Sequence, residues 1–115
     1  MYYMPILDIL DKEVSFTAFR HDNPLISVFP LKGRMLRYVS LSGEKDWMLV
    51  QLNQSFLLEK TSINYVLVKR GDKRPLILNK DNQLVIFKPV HDVTLVREDM
   101  NDTTDFPMEF WALCK

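Results

Sequence analysis

The chain has 115 residues, 15 basic and 15 acidic side chains, and an apolar fraction of 47%. That length fits one domain, 1–115, with a core large enough to need no staples, and the composition excludes disorder as a default state and a globally basic polyanion binder. The single cysteine, Cys114, excludes an internal disulfide framework, and with only Lys115 after it there is no prenylation box.

Strand patterns dominate the chain from its first third onward. The opening run holds Ile6, Ile9 and Leu10 at helical spacing after Pro5, or else forms a hairpin arm against residues 14–19. Val14–Ala18 alternates apolar and polar, as a half-buried strand does. Ile26–Leu31 is apolar and β-prone between Pro24 and Gly33, and the glycine stands in a turn-like context. Met35–Leu41 reads as a strand ending in a turn at Ser42-Gly43-Glu44, and Trp47–Leu52 follows. Ile63–Val68 is rich in β-branched and aromatic residues, and Arg70-Gly71-Asp72-Lys73 reads as a hairpin tip. Leu76–Leu78, a turn at Lys80-Asp81-Asn82, and Leu84–Phe87 running into Pro89 come next. Val93–Val96 is a further strand candidate. The polar stretch 98–105 reads as a loop, and 106–113 as a last strand or a short helix. Turns about every 8–12 residues predict an all-β, mainly antiparallel barrel or sandwich of about seven to nine short strands, with one short terminal helix as an option.

Several strands are apolar on both faces. Ile63, Tyr65 and Leu67 alternate with Asn64, Val66 and Val68, and all of Leu84–Phe87 is apolar. An open antiparallel sheet exposes one face to water, so here something must cover the second: a closed barrel with a covering segment, or another chain.

Chemistry-bearing motifs are sparse. The glycines, Gly33, Gly43 and Gly71, are isolated, so no phosphate-cradling loop or dinucleotide fingerprint is present, and no cofactor is expected. His21-Asp22 and His91-Asp92 are adjacent pairs, which on a strand point to opposite faces, so no metal site is expected. Asp99–Asp105 has the acidic density of a calcium loop but lacks its glycine, and Phe110 stands where the bidentate glutamate belongs. Nothing places Cys114, His91 and an aspartate together for nucleophilic catalysis, and the thiol reads as a small core hydrophobe. Trp47 lies in an apolar strand and reads as core.

Charge is unevenly spread. Residues 62–90 carry six basic and two acidic groups, and residues 91–115 carry two and six. Lys69, Arg70, Lys73 and Arg74 cluster around Gly71, the pattern of either a solvated hairpin tip or a basic rim for single-stranded nucleic acid. Read as a helix, 106–113 would align Phe106, Phe110 and Leu113 on one face, able to dock a partner or to fold back on the domain. The expectation is a non-catalytic binding domain, acting through a protein partner or as a homo-oligomer, with Tyr65, Phe87, Phe110 and Trp111 as its candidate contacts. A nucleic-acid-binding barrel using Lys69, Arg70, Lys73 and Arg74 is the first alternative, and a small-ligand pocket or minor enzyme the second. The start lacks a signal-peptide pattern and no run of 18 apolar residues occurs, so a cytoplasmic location without membrane association is expected.

Overall fold

The structure is a computed structural model that describes residues 12–18, 28–41, 43–71, 83–97, 99–100 and 109–114. Its strands are β1 (Glu13–Ala18), β2 (Leu31–Leu41), β3 (Glu44–Leu58), β4 (Thr61–Arg70), β5 (Gln83–Val90), β6 (Asp99–Met100) and β7 (Phe110–Cys114). Neighbours run β1-β7-β5-β4-β3-β2, and β1 also pairs with β2, which closes six strands into an antiparallel barrel. The two-residue β6 adds to β2 in parallel at Ser40 and Leu41. The all-β barrel matches the sequence expectation, with six strands in the ring in place of seven to nine. The candidate elements at 6–10, 76–78 and 80–82 lie outside the described residues, as does His21.

Both strand faces are apolar because the barrel has two cores. Phe16, Met35, Met48, Val50, Ile63, Val66, Val68, Val85, Phe87, Ala112 and Cys114 come from all six ring strands and form one buried cluster. Only the lumen of the ring can gather side chains from every strand. The alternate residues Val39, Leu41, Trp47, Leu49, Leu67 and Val90 form a second cluster on the outer wall of β2, β3, β4 and β5, joined by Val96. Leu67 is fully buried there. After β5 the chain turns back across this wall, where Val96 packs on the cluster and β6 joins β2. The Arg37 guanidinium donates to the Val96 carbonyl at 3.4 Å, tying the crossing down. Each apolar side chain so buried contributes about 1.5–3 kcal/mol.

Two expected features differ in the structure, the alternative left open for the last segment is decided, and β5 runs further than expected. Gly33 does not break the chain, because β2 runs through it from Leu31. A Cβ at Gly33 would lie 2.6 Å from the Gln51 carbonyl oxygen and 2.7 Å from a Val50 methyl, so the glycine permits a close approach of β3. Val93–Val96 is not a strand. Asp92 caps a 3-10 turn over Val93–Leu95, its carboxylate accepting from Thr94 N at 3.0 Å and Thr94 Oγ1 at 2.6 Å. A local side-chain acceptor has outcompeted β propensity here. Residues 110–114 are strand, which removes the helical stripe: Phe110 packs into the lumen, while Leu113 faces out, opposite Leu84. Finally, β5 passes Pro89 and ends at Val90. Among the described residues its pairing with β7 ends at Phe87 opposite Phe110, while the pairing with β4 continues through Pro89 opposite Val66 to Val90 opposite Tyr65.

Irregularities in register set the strand phases. Met35 stands opposite Val50 and Arg37 opposite Leu49, so Leu36 is the inserted residue, and it points to the outer cluster. A larger shift separates Gln51 opposite Tyr65 from Phe56 opposite Ile63. This shift breaks the alternation read from Ile63–Val68: Ile63 faces the lumen, whereas Tyr65 and Leu67 face outward.

Candidate functional site

The four aromatic candidates divide between the two faces of the wall. Phe87 is buried in the lumen, in edge-to-face contact with Phe29 at a centroid distance of 5.7 Å and in tilted contact with Phe110 at 5.7 Å. These two rings fill the core and do not reach the surface as a pair. Tyr65 is half-buried at the edge of the outer cluster. Trp111, one residue from Phe110 and therefore on the opposite face, is 41% exposed.

Trp111 has a defined seat. The Gly71 amide donates to the Leu84 carbonyl at 2.8 Å, which brings the end of β4 alongside β5. A Cβ at Gly71 would fall 2.7 Å from Trp111 Cζ3 and 3.3 Å from the Leu84 oxygen. The indole therefore lies directly on the bare Gly71 backbone, a placement sequence reading of either residue alone does not reveal. Gly71 is the centre of the basic stretch, so the aromatic and basic candidates adjoin.

The basic candidates are less concentrated than their spacing suggests. Lys69 and Arg70 are consecutive on β4 and point to opposite faces. Arg70 is buried opposite Val85, whose side chain faces the lumen. Lys69 lies on the outer wall in an ion pair with Glu44, its ammonium 5.6 Å from the centroid of the Trp47 ring. Lys88 approaches the same ring at 6.0 Å and pairs with Glu109 at 3.3 Å. Trp47 is buried, and its indole nitrogen has no acceptor among the described residues, so packing and the two ammonium contacts hold the ring. Lys73 and Arg74 lie outside the described residues.

A second feature was not anticipated. Pairing of β2 with β3 ends at Gly33 opposite Leu52, although β2 continues back to Leu31 and β3 forward to Leu58. The strands part there, opening a groove of about 400 Å³ lined by Val28, Pro30, Leu31, Lys32 and the run Asn53-Gln54-Ser55-Phe56. A recess of about 320 Å³ adjoins it, lined by Glu13, Arg34, Gln51, Leu52 and Asn53. Leu31 and Phe56 are buried, while Lys32, Asn53, Gln54 and Ser55 are exposed. The only advance signal was polar Asn53-Gln54-Ser55 interrupting an apolar strand.

Burial pushes the Cys114 thiol up from 9.0 to about 12, which keeps it protonated and unreactive near neutrality. Among the described residues, no three histidine, cysteine or carboxylate side chains gather to hold a metal, and no helix is long and apolar enough to cross a membrane. Compared with protein families, curated proteins and solved structures, the chain matches none.

Proposed function

We propose that the chain is a non-catalytic binding domain that acts through another protein chain, either a partner or a second copy of itself. The observation that carries this reading is Trp111, a large aromatic held 41% exposed on a rigid wall by the backbone at Gly71. An indole already ordered loses little entropy on docking and buries a large apolar area, which is why tryptophan dominates the energetics of protein interfaces.

A nucleic-acid role has one observation in its favour, the contact of that indole with the glycine of the basic stretch. An exposed ring beside cations can stack bases. Against it, Lys69 is committed to Glu44 and Arg70 is turned inward, which leaves the stretch with less free charge than its composition implies. The protein reading is therefore the one we adopt.

The test compares wild type with Trp111→Ala and Gly71→Ala. A Cβ at Gly71 would press on the indole edge at 2.7 Å and lie 3.3 Å from the Leu84 carbonyl oxygen, both on the outer wall, so that variant alters the site without entering the lumen core. Sedimentation at micromolar concentration detects self-association, and both substitutions are expected to abolish it. If wild type sediments as a monomer, affinity capture is expected to retain a defined protein that both variants lose. Salt-sensitive binding to single-stranded oligonucleotides, lost in Trp111→Ala with no protein partner, would replace this reading with the nucleic-acid one.

A further inference from the structure

Beyond Trp111, the parted seam between β2 and β3 is a second, differently built surface. In the register that runs from Met35 opposite Val50 to Gly33 opposite Leu52, the next pairs would be Lys32 with Asn53 and Leu31 with Gln54. They do not form. On its far side β2 remains paired, with Lys32 opposite Ser15 and Leu31 opposite Phe16. Likewise β3 remains paired to β4 from Phe56 opposite Ile63 to Leu58 opposite Thr61. Each strand thus keeps one neighbour and turns an open edge into the same groove. Among the described residues nothing pairs with β3 on this side beyond Leu52.

The direction of the open backbone groups follows from the hairpin. Only Glu59 and Lys60 separate the pair Leu58 and Thr61, and the closing pair of a two-residue hairpin is the hydrogen-bonded one. The main chain of Leu58 therefore faces β4, and that of Leu57 faces the groove side. Among the described residues Leu57 is also the most exposed large apolar side chain, at 71%. A row of unpaired strand groups beside an apolar floor is the feature that captures an extended peptide as an added strand. Among the described residues, the charged side chains that line the groove and the adjoining recess are Lys32, Arg34 and Glu13; Arg34 donates to Gln51 at 3.3 Å, and Lys32 is the one that lines the groove itself.

We propose that the seam binds an extended segment of a partner protein, apolar with acidic flanks, by β-strand addition to the open edge of β3 at residues 53–58. Main-chain hydrogen bonds to the edge supply affinity in any sequence. An apolar side chain of the segment covers Leu31 and Phe56, and its carboxylates meet Lys32. This inference rests on reading the chain as a binding domain, but on a wall separate from Trp111, so the two sites can fail separately.

The test pans a displayed library of random peptides against the full chain and measures the recovered peptides by fluorescence anisotropy and by backbone hydrogen exchange. Recovered peptides are expected to be apolar and acidic, and to slow exchange of the amides at 53–57. Leu57→Pro removes a donor from the open edge while leaving the β4 side intact, and should weaken them about fivefold or more. Lys32→Glu, a surface change, should weaken them in a salt-dependent manner. Should Leu57→Pro lose its fold, the Lys32→Glu titration and the wild-type exchange pattern still decide. Failure to recover peptides, or peptides that leave 53–57 unprotected and bind both variants as well as wild type, would overturn the proposal. Binding lost in Trp111→Ala but retained in Leu57→Pro and Lys32→Glu would overturn the seam and leave the binding-domain reading standing. A homodimer that dissociates in Leu57→Pro would seat a second copy there and overturn the peptide assignment as well.

Discussion

Gly33 shows how one residue sets the geometry of a whole wall. Its missing side chain lets β3 close onto β2, with the Gln51 carbonyl where a Cβ would stand, and the two strands part immediately beyond it. Gly33→Ala is expected to cost about 1–3 kcal/mol by overpacking, because the obstruction is backbone and cannot swing aside. Urea denaturation measures this, and a cost below a few tenths would contradict the close approach. Cys114 makes a different argument. Its thiol is fully buried in the lumen and is raised from 9.0 to about 12. Between those values the unfolded thiol ionises while the folded one keeps its proton, so the unfolded state binds fewer protons and stability falls as pH rises. The stability of wild type relative to Cys114→Ala should therefore shrink as pH rises from about 9 towards about 12. Equal pH dependence in the two proteins would mean the thiol is hydrated.

At the scale of the element, the β3–β4 hairpin carries the clearest strain. Glu59 and Lys60 form its loop with φ of 50° and 69°, the left-handed region that non-glycine residues enter at a cost. Asparagine and glycine are the residues such a loop favours. Lys60→Gly should raise stability by about 0.5–1 kcal/mol once the extra freedom of glycine in the unfolded chain is deducted. A thermal melt reads it, and a lowered midpoint would show that the lysine side chain makes a compensating contact.

The elements also show what was legible in advance. Val14–Ala18, Trp47–Leu52 and Ile63–Val68 lie within β1, β3 and β4, since β-branched and aromatic runs speak directly of pleated surface. Val93–Val96 misled because one carboxylate, Asp92, decides that turn. The long β2 reads as two pieces about Gly33, and β3 reads only as Trp47–Leu52, because the glycine and the polar Asn53-Gln54-Ser55 interrupt the apolar runs locally. Only the partner strand shows that the first is a close approach and the second a departure from pairing.

Over the whole molecule, apolar residues on both strand faces pointed to a covered second face, and the barrel supplies the covering within one chain. The lumen takes one face, and the crossing through Val96 packs on the other. Much of the apolar surplus that suggested an interface is thus internal, and Phe87 and Phe110 belong to it. Among the described residues, what the outer surface retains is local: Trp111 on Gly71, Leu57 on the hairpin arm, Val93 in the 3-10 turn, and the open seam. These sites depend on pairings between distant parts of the chain. The apposition of residue 71 to residue 111, or of residue 31 to residue 54, has no local signature, so no pattern along the sequence could announce it.

The most direct test of the binding-domain account places a photo-crosslinking amino acid at position 111, and in a separate variant at the exposed position 59 as a control, in cells that make the protein. The account predicts one discrete protein adduct from position 111, diminished in a Gly71→Ala background and absent from position 59. Adducts of equal spread from both positions, or adducts to nucleic acid alone from position 111, would contradict it.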